Sequence, residues 1–396
     1  MVEQQASMEK HPFGGTTFGP LSIIAMPGCE ELGARVDMYL KKFQREEEQR
    51  FQSSPGGENG SFLIKTTFFR FPTGEGKAML EQTVRGQDVY IISDVTAYQV
   101  TYTLRGQEVP TSPDEHYADL KRVISAIGGR ARRICVIMPF LYEGRQHRRV
   151  RRESLDCALM LHELVSMGVQ NIITFDAHDP RVQNSIPLTG FDSVYPTYQM
   201  LKALLRHEKD LHISKDSMVV ISPDEGAISR NMYYSSVLGL DMGLFYKRRD
   251  YTKFENGRNP IIAHEYLGDD IEGKDVIVAD DMISSGDSMI DLAESLAKRK
   301  AGRIFIAATF TFFTDGLEKF NKAYEEGLIT RVLGTNLVYL PPEIKNAPWF
   351  IEVDMSKYVS YIISTLNHDN SLNSALDPLL RIETLLQKYR AEQQQQ

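Results

Sequence analysis

Cysteine is scarce in this chain: Cys29, Cys135 and Cys157 are the only three among 396 residues. An odd number without paired spacing argues against a disulfide scaffold and a cysteine zinc site. Cys29 stands at a helix start, and the other two sit in apolar runs as core thiols of a reduced chain. Long apolar runs are missing as well, so no stretch approaches the roughly 20 residues that a membrane helix needs. The opening residues, MVEQQASMEKHPFGG, carry no apolar signal core, and a cytoplasmic location is expected. Positive charge is not in excess. With a net charge of −8 the molecule is not drawn as a whole to nucleic acid or anionic membrane. What remains is an ordinary soluble composition, 42% apolar and 25% charged, long enough for two cores.

The chain alternates short continuous apolar runs with helical periodicity. LSIIAM (21–26), FLIKTTFFRF (62–71), DVYIIS (88–93), ICVIMPF (134–140) and NIITFD (171–176) read as strands. Helices are expected over Glu30 to Phe43, Asp114 to Ile127 and Ser154 to Met167. The alternation repeats with MVVIS (218–222), MGLFY (242–246) and RIFIAATF (303–310), and a last helix runs from Pro378 to about Lys388. Strands without polar alternation belong to parallel sheets covered on both faces. Residues 45–61 and 94–113 read as loop-like insertions, and 1–20 and 389–396 as flexible tails.

One stretch organises the rest: DVIVADDMISSGDSMIDLAESLAKR, residues 275–299. A buried strand over Asp275 to Ala279 ends in Asp280 and Asp281. The small polar loop Ser284-Ser285-Gly286-Asp287-Ser288 follows, and a helix begins near Ser288 with Met289, Leu292, Ala293 and Leu296 on one face. Backbone N–H groups at a helix start bind anions, and small side chains let a phosphate come close. Carboxylates just before such a loop are placed to accept from vicinal hydroxyls. A diol and a phosphate one sugar apart describe a pentose phosphate; a well-capped helix behind a core strand is the plainer alternative.

Four further segments carry chemistry. In FDAHDP (175–180) Asp176 and His178 point the same way if the strand continues, and could bind a divalent metal or water. In SPDEGAISR (222–230) Asp224 is either a helix N-cap or a ligand at a strand end. EGRQHRRVRRES (143–154) holds five arginines within eight residues, suited to a triphosphate or an ion-pair network. YKRRDYTKFENGRNP (246–260) leaves a strand with Lys247 and Arg249 two apart, on one side of an extended chain.

These segments, with RFPTGEG (70–76), resemble those of the ribose-phosphate pyrophosphokinases (phosphoribosyl pyrophosphate synthetases), here as a long variant with two insertions. The resemblance implies two tandem type I phosphoribosyltransferase-like α/β domains, each a mostly parallel sheet flanked by helices. The ATP-side domain would span 21–195 and the ribose 5-phosphate domain 196–375. It implies transfer of pyrophosphate from MgATP to the C1 hydroxyl of ribose 5-phosphate. Phe71, Glu75, Arg145 and Gln146 would bind ATP, with Phe71 stacking on adenine across a subunit boundary. His178 and Asp224 would organise Mg2+. Lys247 and Arg249 would be catalytic. Asp280, Asp281, Ser284, Ser285, Gly286, Asp287 and Ser288 would bind ribose 5-phosphate. A homo-oligomer of dimers, up to a hexamer, is implied, with no nucleic-acid or membrane partner. The chain departs from the family pattern at Thr73, at His147 (an Asp there), at Ser284 (an Asp), at Asp287 (a Gly) and in FTFFTDG (310–316). A non-catalytic regulatory homologue and a phosphoribosyltransferase are the two other readings.

Overall fold

The computed structural model describes residues 17–51, 60–249 and 261–394. The chain forms two compact units. The first comprises residues up to Pro196 together with Asn336–Tyr339 and Asp354–Asp377; the second comprises Thr197–Thr335, Leu340–Val353 and the residues from Pro378 onward. The linear division into 21–195 and 196–375 differs from this at the second boundary, because 354–377 returns to the first unit.

In the first unit the strands are β1 (Leu21–Ala25), β2 (Thr66–Arg70), β3 (Gly76–Leu80), β4 (Asp88–Ile92), β5 (Thr101–Leu104), β6 (Gln107–Pro110), β7 (Arg133–Ile137), β8 (Asn171–Phe175) and β9 (Gly190–Val194). A five-stranded sheet runs β1-β4-β7-β8-β9, parallel throughout. β4 and β7 are buried at every residue, apolar after their first positions, where Asp88 and Arg133 pair with each other. The helix Pro113–Ile127 starts on Ser112 and Glu115 in a reciprocal capping box, and stops at Gly128 in a left-handed conformation. The returning helix Ser356–Asn367 is buried at nine positions, and Ser360 Oγ donates to the Val36 carbonyl at 3.2 Å on the helix Glu30–Phe51. A small side chain permits that close approach.

Three expectations change here. The segment 94–113 is not a plain loop: β5 and β6 form a hairpin turning on Arg105 and Gly106, both at positive φ. The first helix continues to Phe51 rather than stopping at Phe43; residues 52–59 of the expected insertion lie outside the described residues. Nor are the described tail residues loose. Phe18 stacks against Arg133, whose guanidinium carbon is 4.1 Å from its ring centre. The last helix, Leu379–Gln393, carries buried Tyr389, whose hydroxyl donates to the Glu208 carbonyl at 2.8 Å.

The second unit holds β10 (Met218–Ser222), β11 (Asp241–Arg249), β12 (Ile261–Leu267), β13 (Asp275–Ile283), β14 (Ile304–Thr311), β15 (Arg331–Thr335) and β16 (Phe350–Val353). They form one sheet in the order β12-β11-β10-β13-β14-β15-β16, parallel except for β12 on β11. Its core gathers Val278, Ile306, Leu292 and Leu296 with Phe313, Phe320 and Trp349. Each fully buried side chain of this size contributes about 1.5–3 kcal/mol. Among the described residues no helix is long and apolar enough to cross a membrane.

Candidate active site

In the seven-stranded sheet the chain order turns round between β10 and β13: β11 and β12 lie to one side, β14 to β16 to the other. At such a point the connections leave in opposite directions, and a crevice opens at the carboxyl ends of the strands. β10 leads to Asp224 there, and β13 carries Asp280 and Asp281. Asp224 Oδ1 accepts from the Gly226 N–H at 2.9 Å and the Ala227 N–H at 3.2 Å. It caps this turn, whereas the N-cap of the helix Ile228–Leu238 is Ala227.

That helix also fixes the acidic pair. Asn231, fully buried, donates from its amide to the Ala279 carbonyl at 2.7 Å and accepts from the Ala279 N–H at 3.0 Å. The neighbouring Arg230 guanidinium lies 3.5 Å from Asp280 Oδ1. Neither residue stands out in the sequence, where both look like ordinary helix members. The two carboxylates are not equivalent. Asp281 is 6% exposed and its Oδ1 accepts from the Met282 N–H at 2.9 Å. Asp280 keeps 19% of its side chain exposed. Burial, then the Asp281 charge, pushes the Asp280 carboxyl well above the usual carboxylate range, against the pull of Arg230.

β13 does not end at Ala279. It stays in register with β14 through Ile283 opposite Thr311, because Ile283 is itself a buried core residue. The polar loop then turns. The Ser284 carbonyl accepts from the Thr314 N–H at 3.0 Å. Gly286, at φ 92°, precedes the helix Asp287–Lys298 without a side-chain cap. A Cβ at this position would lie 2.3 Å from the ring of Phe320, so both backbone and space require glycine. Ser284, Asp287 and Ser288 are exposed, while Ser285 Oγ donates to Asp287 Oδ2 at 3.0 Å. Lys319, from the helix Glu318–Glu325, donates to the other Asp287 oxygen and holds that carboxyl below its usual range. Lys319 is a third residue that sequence patterns miss.

β11 carries the backbone of Lys247 opposite His264 and of Arg249 opposite Ile261, with a bulge between Arg248 and Arg249. A bulge interrupts the alternation on which the shared-face expectation rests. The side chains of Lys247 and Arg249 lie outside the described residues, as do residues 250–260.

The first unit gathers the other candidates. β2 and β3 form a hairpin whose turn carries Phe71 and Glu75; the Phe71 N–H donates to the Glu75 carbonyl at 2.8 Å. Arg70 anchors it with two bonds to buried Asp119, at 2.7 and 2.5 Å. Phe71 is 48% exposed and so is not a core residue. Thr73, a departure from the family pattern, donates to Glu75 Oε2 at 2.8 Å.

Arg145 and Gln146 are exposed on the turn after β7, and His178 follows the neighbouring β8. Asp176 has φ 44° and is buried while His178 is exposed, so the extended alternation fails there. His147 links the segments instead, its ring centre 5.5 Å from that of His178 and its Nε2 3.5 Å from Asp179. Burial keeps the His147 imidazole below its usual value despite Asp179.

Among the described residues no three His, Cys, Asp or Glu side chains converge on a metal position. Magnesium keeps most of its waters and takes much of its coordination from substrate phosphates. Asp224, a single carboxylate at a strand end of the second unit, is the type of ligand such an ion takes from a protein.

Residues 21–168 match the N-terminal domain of ribose phosphate pyrophosphokinase, and residues 194–326 match the phosphoribosyl transferase domain. The chain is 27% identical over 318 residues to the ribose-phosphate pyrophosphokinase of Vibrio vulnificus, covering 79% of this chain and 91% of that protein. To the one from Pasteurella multocida it is 28% identical over 316 residues, with the same coverage. The crystal structure of phosphoribosylpyrophosphate synthetase from Mycobacterium smegmatis overlays with a TM-score of 0.68 at 20% identity, covering 89% of this chain and all of that one. With both halves matched in order on sheets of the expected type, the chain belongs to the ribose-phosphate pyrophosphokinase family.

Proposed function

We propose that this enzyme transfers the β,γ-pyrophosphoryl group of ATP intact to the C1 hydroxyl of ribose 5-phosphate. The hydroxyl oxygen bonds to the β-phosphorus, the bond from that phosphorus to the oxygen bridging it to the α-phosphorus breaks, and AMP leaves. The hydroxyl proton passes to solvent, and phosphoribosyl pyrophosphate is the product. The observation that carries this reading is the loop 284–288, with Ser284, Asp287 and Ser288 exposed, beside the acidic pair at the turning point of the sheet.

The second unit serves the sugar phosphate. Asp280 accepts from the ribose hydroxyls, Asp281 stiffens the strand end, and the N–H groups of Ser285 to Ser288 receive the 5-phosphate with Ser284 at the loop's edge. The first unit serves the nucleotide through Phe71, Glu75, Arg145 and Gln146. His178 of the first unit and Asp224 of the second are the residues that would hold magnesium, which would supply charge neutralisation on the phosphates. Lys247 and Arg249 stabilise the charge that builds on the transferring oxygens. No covalent intermediate is required, so positioning and electrostatics supply the acceleration. The working form is a homo-oligomer, and the enzyme acts in the cytoplasm on small molecules.

AMP release from the purified chain tests the reading. Release should require both ribose 5-phosphate and magnesium; a chain that stays silent with both present is a regulatory homologue. Nucleotide formed from phosphoribosyl pyrophosphate and a free base would identify a phosphoribosyltransferase instead.

Asp280→Asn separates the stability of the site from its use. An acid whose folded pKa is raised is a cost to folding that grows as pH climbs from about 4, where the unfolded chain ionises. The variant should therefore unfold at a higher urea midpoint at neutral pH, with the gain vanishing below about pH 4. Its affinity for ribose 5-phosphate should fall about 10-fold, because the amide leaves one acceptor oxygen fewer for the two hydroxyls. An unchanged KM for the sugar would remove Asp280 from the diol-binding role.

A further inference from the structure

The loop 284–288 carries a carboxylate, Asp287, at the first position of the helix that is to receive a phosphate. A fixed anion there repels a doubly charged substrate group, unless something offsets it. The structure provides the offset: the Lys319 ammonium is bonded to Asp287 Oδ1 and lies 3.5 Å from Asp315. Both partners are solvent-accessible, with side-chain exposures of 44% for Lys319 and 58% for Asp287, so the pair can open without moving the core.

Lys319 is also held at a defined place. Its neighbour Phe320 is fully buried and packs under Gly286, with Phe313 edge-on to its ring at 4.8 Å and Trp349 stacked at 5.4 Å. The Thr314 N–H donates to the Ser284 carbonyl from the same segment. The helix Glu318–Glu325 is thus a brace whose apolar side supports the loop and whose Lys319 overhangs it.

We propose that Lys319 is a binding residue for the 5-phosphate of the sugar, and that Asp287 holds its ammonium ready. A phosphate with two charges and three acceptor oxygens outcompetes one exposed carboxylate for an ammonium. When the substrate arrives, the ammonium turns from Asp287 to the phosphate, and the helix N-terminus supplies the rest of the attraction. The inference rests on the ribose 5-phosphate reading of this loop.

Steady-state kinetics on Lys319→Gln, Lys319→Arg, Asp287→Gly and the Lys319→Gln/Asp287→Gly pair test it, with circular dichroism as a folding control. Lys319→Gln should raise KM for ribose 5-phosphate at least about 10-fold, a loss of roughly 1.4 kcal/mol, and leave KM for ATP within about 2-fold. Lys319→Arg should keep most of the affinity. The decisive arm is the double variant: the rise in KM must persist when Asp287 is already glycine. If it disappears in that background, Lys319 only neutralises Asp287 and the proposal is overturned. An unchanged KM in Lys319→Gln overturns it equally. A parent chain that releases no AMP with ribose 5-phosphate present would instead defeat the underlying reading of the site.

Discussion

Lys247→Ala is expected to turn over about 10³-fold more slowly than the parent enzyme, while its affinity for ribose 5-phosphate changes by less than about 3-fold. Attack at the β-phosphorus spreads negative charge over equatorial and bridging oxygens. In a site shielded from water, a cation aimed at those oxygens acts on the transition state more than on bound substrate. β11 is the strand that brings Lys247 to the carboxyl end of the second sheet, beside β10 and its Asp224. The split between turnover and KM is the diagnostic. A change in KM alone would mean uniform binding, and unchanged turnover would remove Lys247 from catalysis. Arg249→Ala should show the same pattern, and because the bulge after Arg248 breaks the strand alternation, its magnitude need not match.

The second large effect concerns stability. Arg133→Ala should cost the first unit about 3–5 kcal/mol, because it leaves a buried carboxylate without its cation. Asp88 is fully buried and receives two bonds from Arg133, at 2.7 and 2.6 Å. Arg133 also donates to the Tyr90 hydroxyl at 3.0 Å and the Leu366 carbonyl at 2.8 Å, and Asn367 donates to Asp88 at 2.9 Å. With Arg133 gone, Tyr90 and Asn367 remain as donors but no positive charge does. Hydrogen exchange of the β4 amides reads the loss locally, which matters in a chain with two units. Replacing Asp88 and Arg133 together by Asn and Met should cost much less than Arg133→Ala alone. A loss below about 1 kcal/mol in Arg133→Ala would mean that the pair is solvated, contrary to its burial.

The parts of this molecule that were legible in the sequence are those whose causes are local. The stretch 275–299 declares itself because a continuous apolar run, an acidic pair, a polar loop and a periodic apolar face stand next to one another. The end of β13 was misplaced by four residues, since Asp280 and Asp281 look like a terminus while the ladder to β14 carries the strand past them. The β5–β6 hairpin was missed because its strands are half exposed and its turn is Arg105-Gly106 rather than the usual Asn-Gly. Arg230, Asn231 and Lys319 were invisible for a different reason. Their roles come from the strand or loop they meet in space, and Lys319 stands 32 positions from the Asp287 it holds.

The return of 354–377 to the first unit bears on how the enzyme is born. When Pro196 emerges from the ribosome, the first sheet is complete but the helix Ser356–Asn367 that covers Val36 and bonds Asp88 has not been made. At roughly 5–20 residues per second it follows some 8–30 s later. During that interval the helix Glu30–Phe51 lacks the helix that packs on it and Asp88 lacks its Asn367 partner, which is the moment for a chaperone to engage.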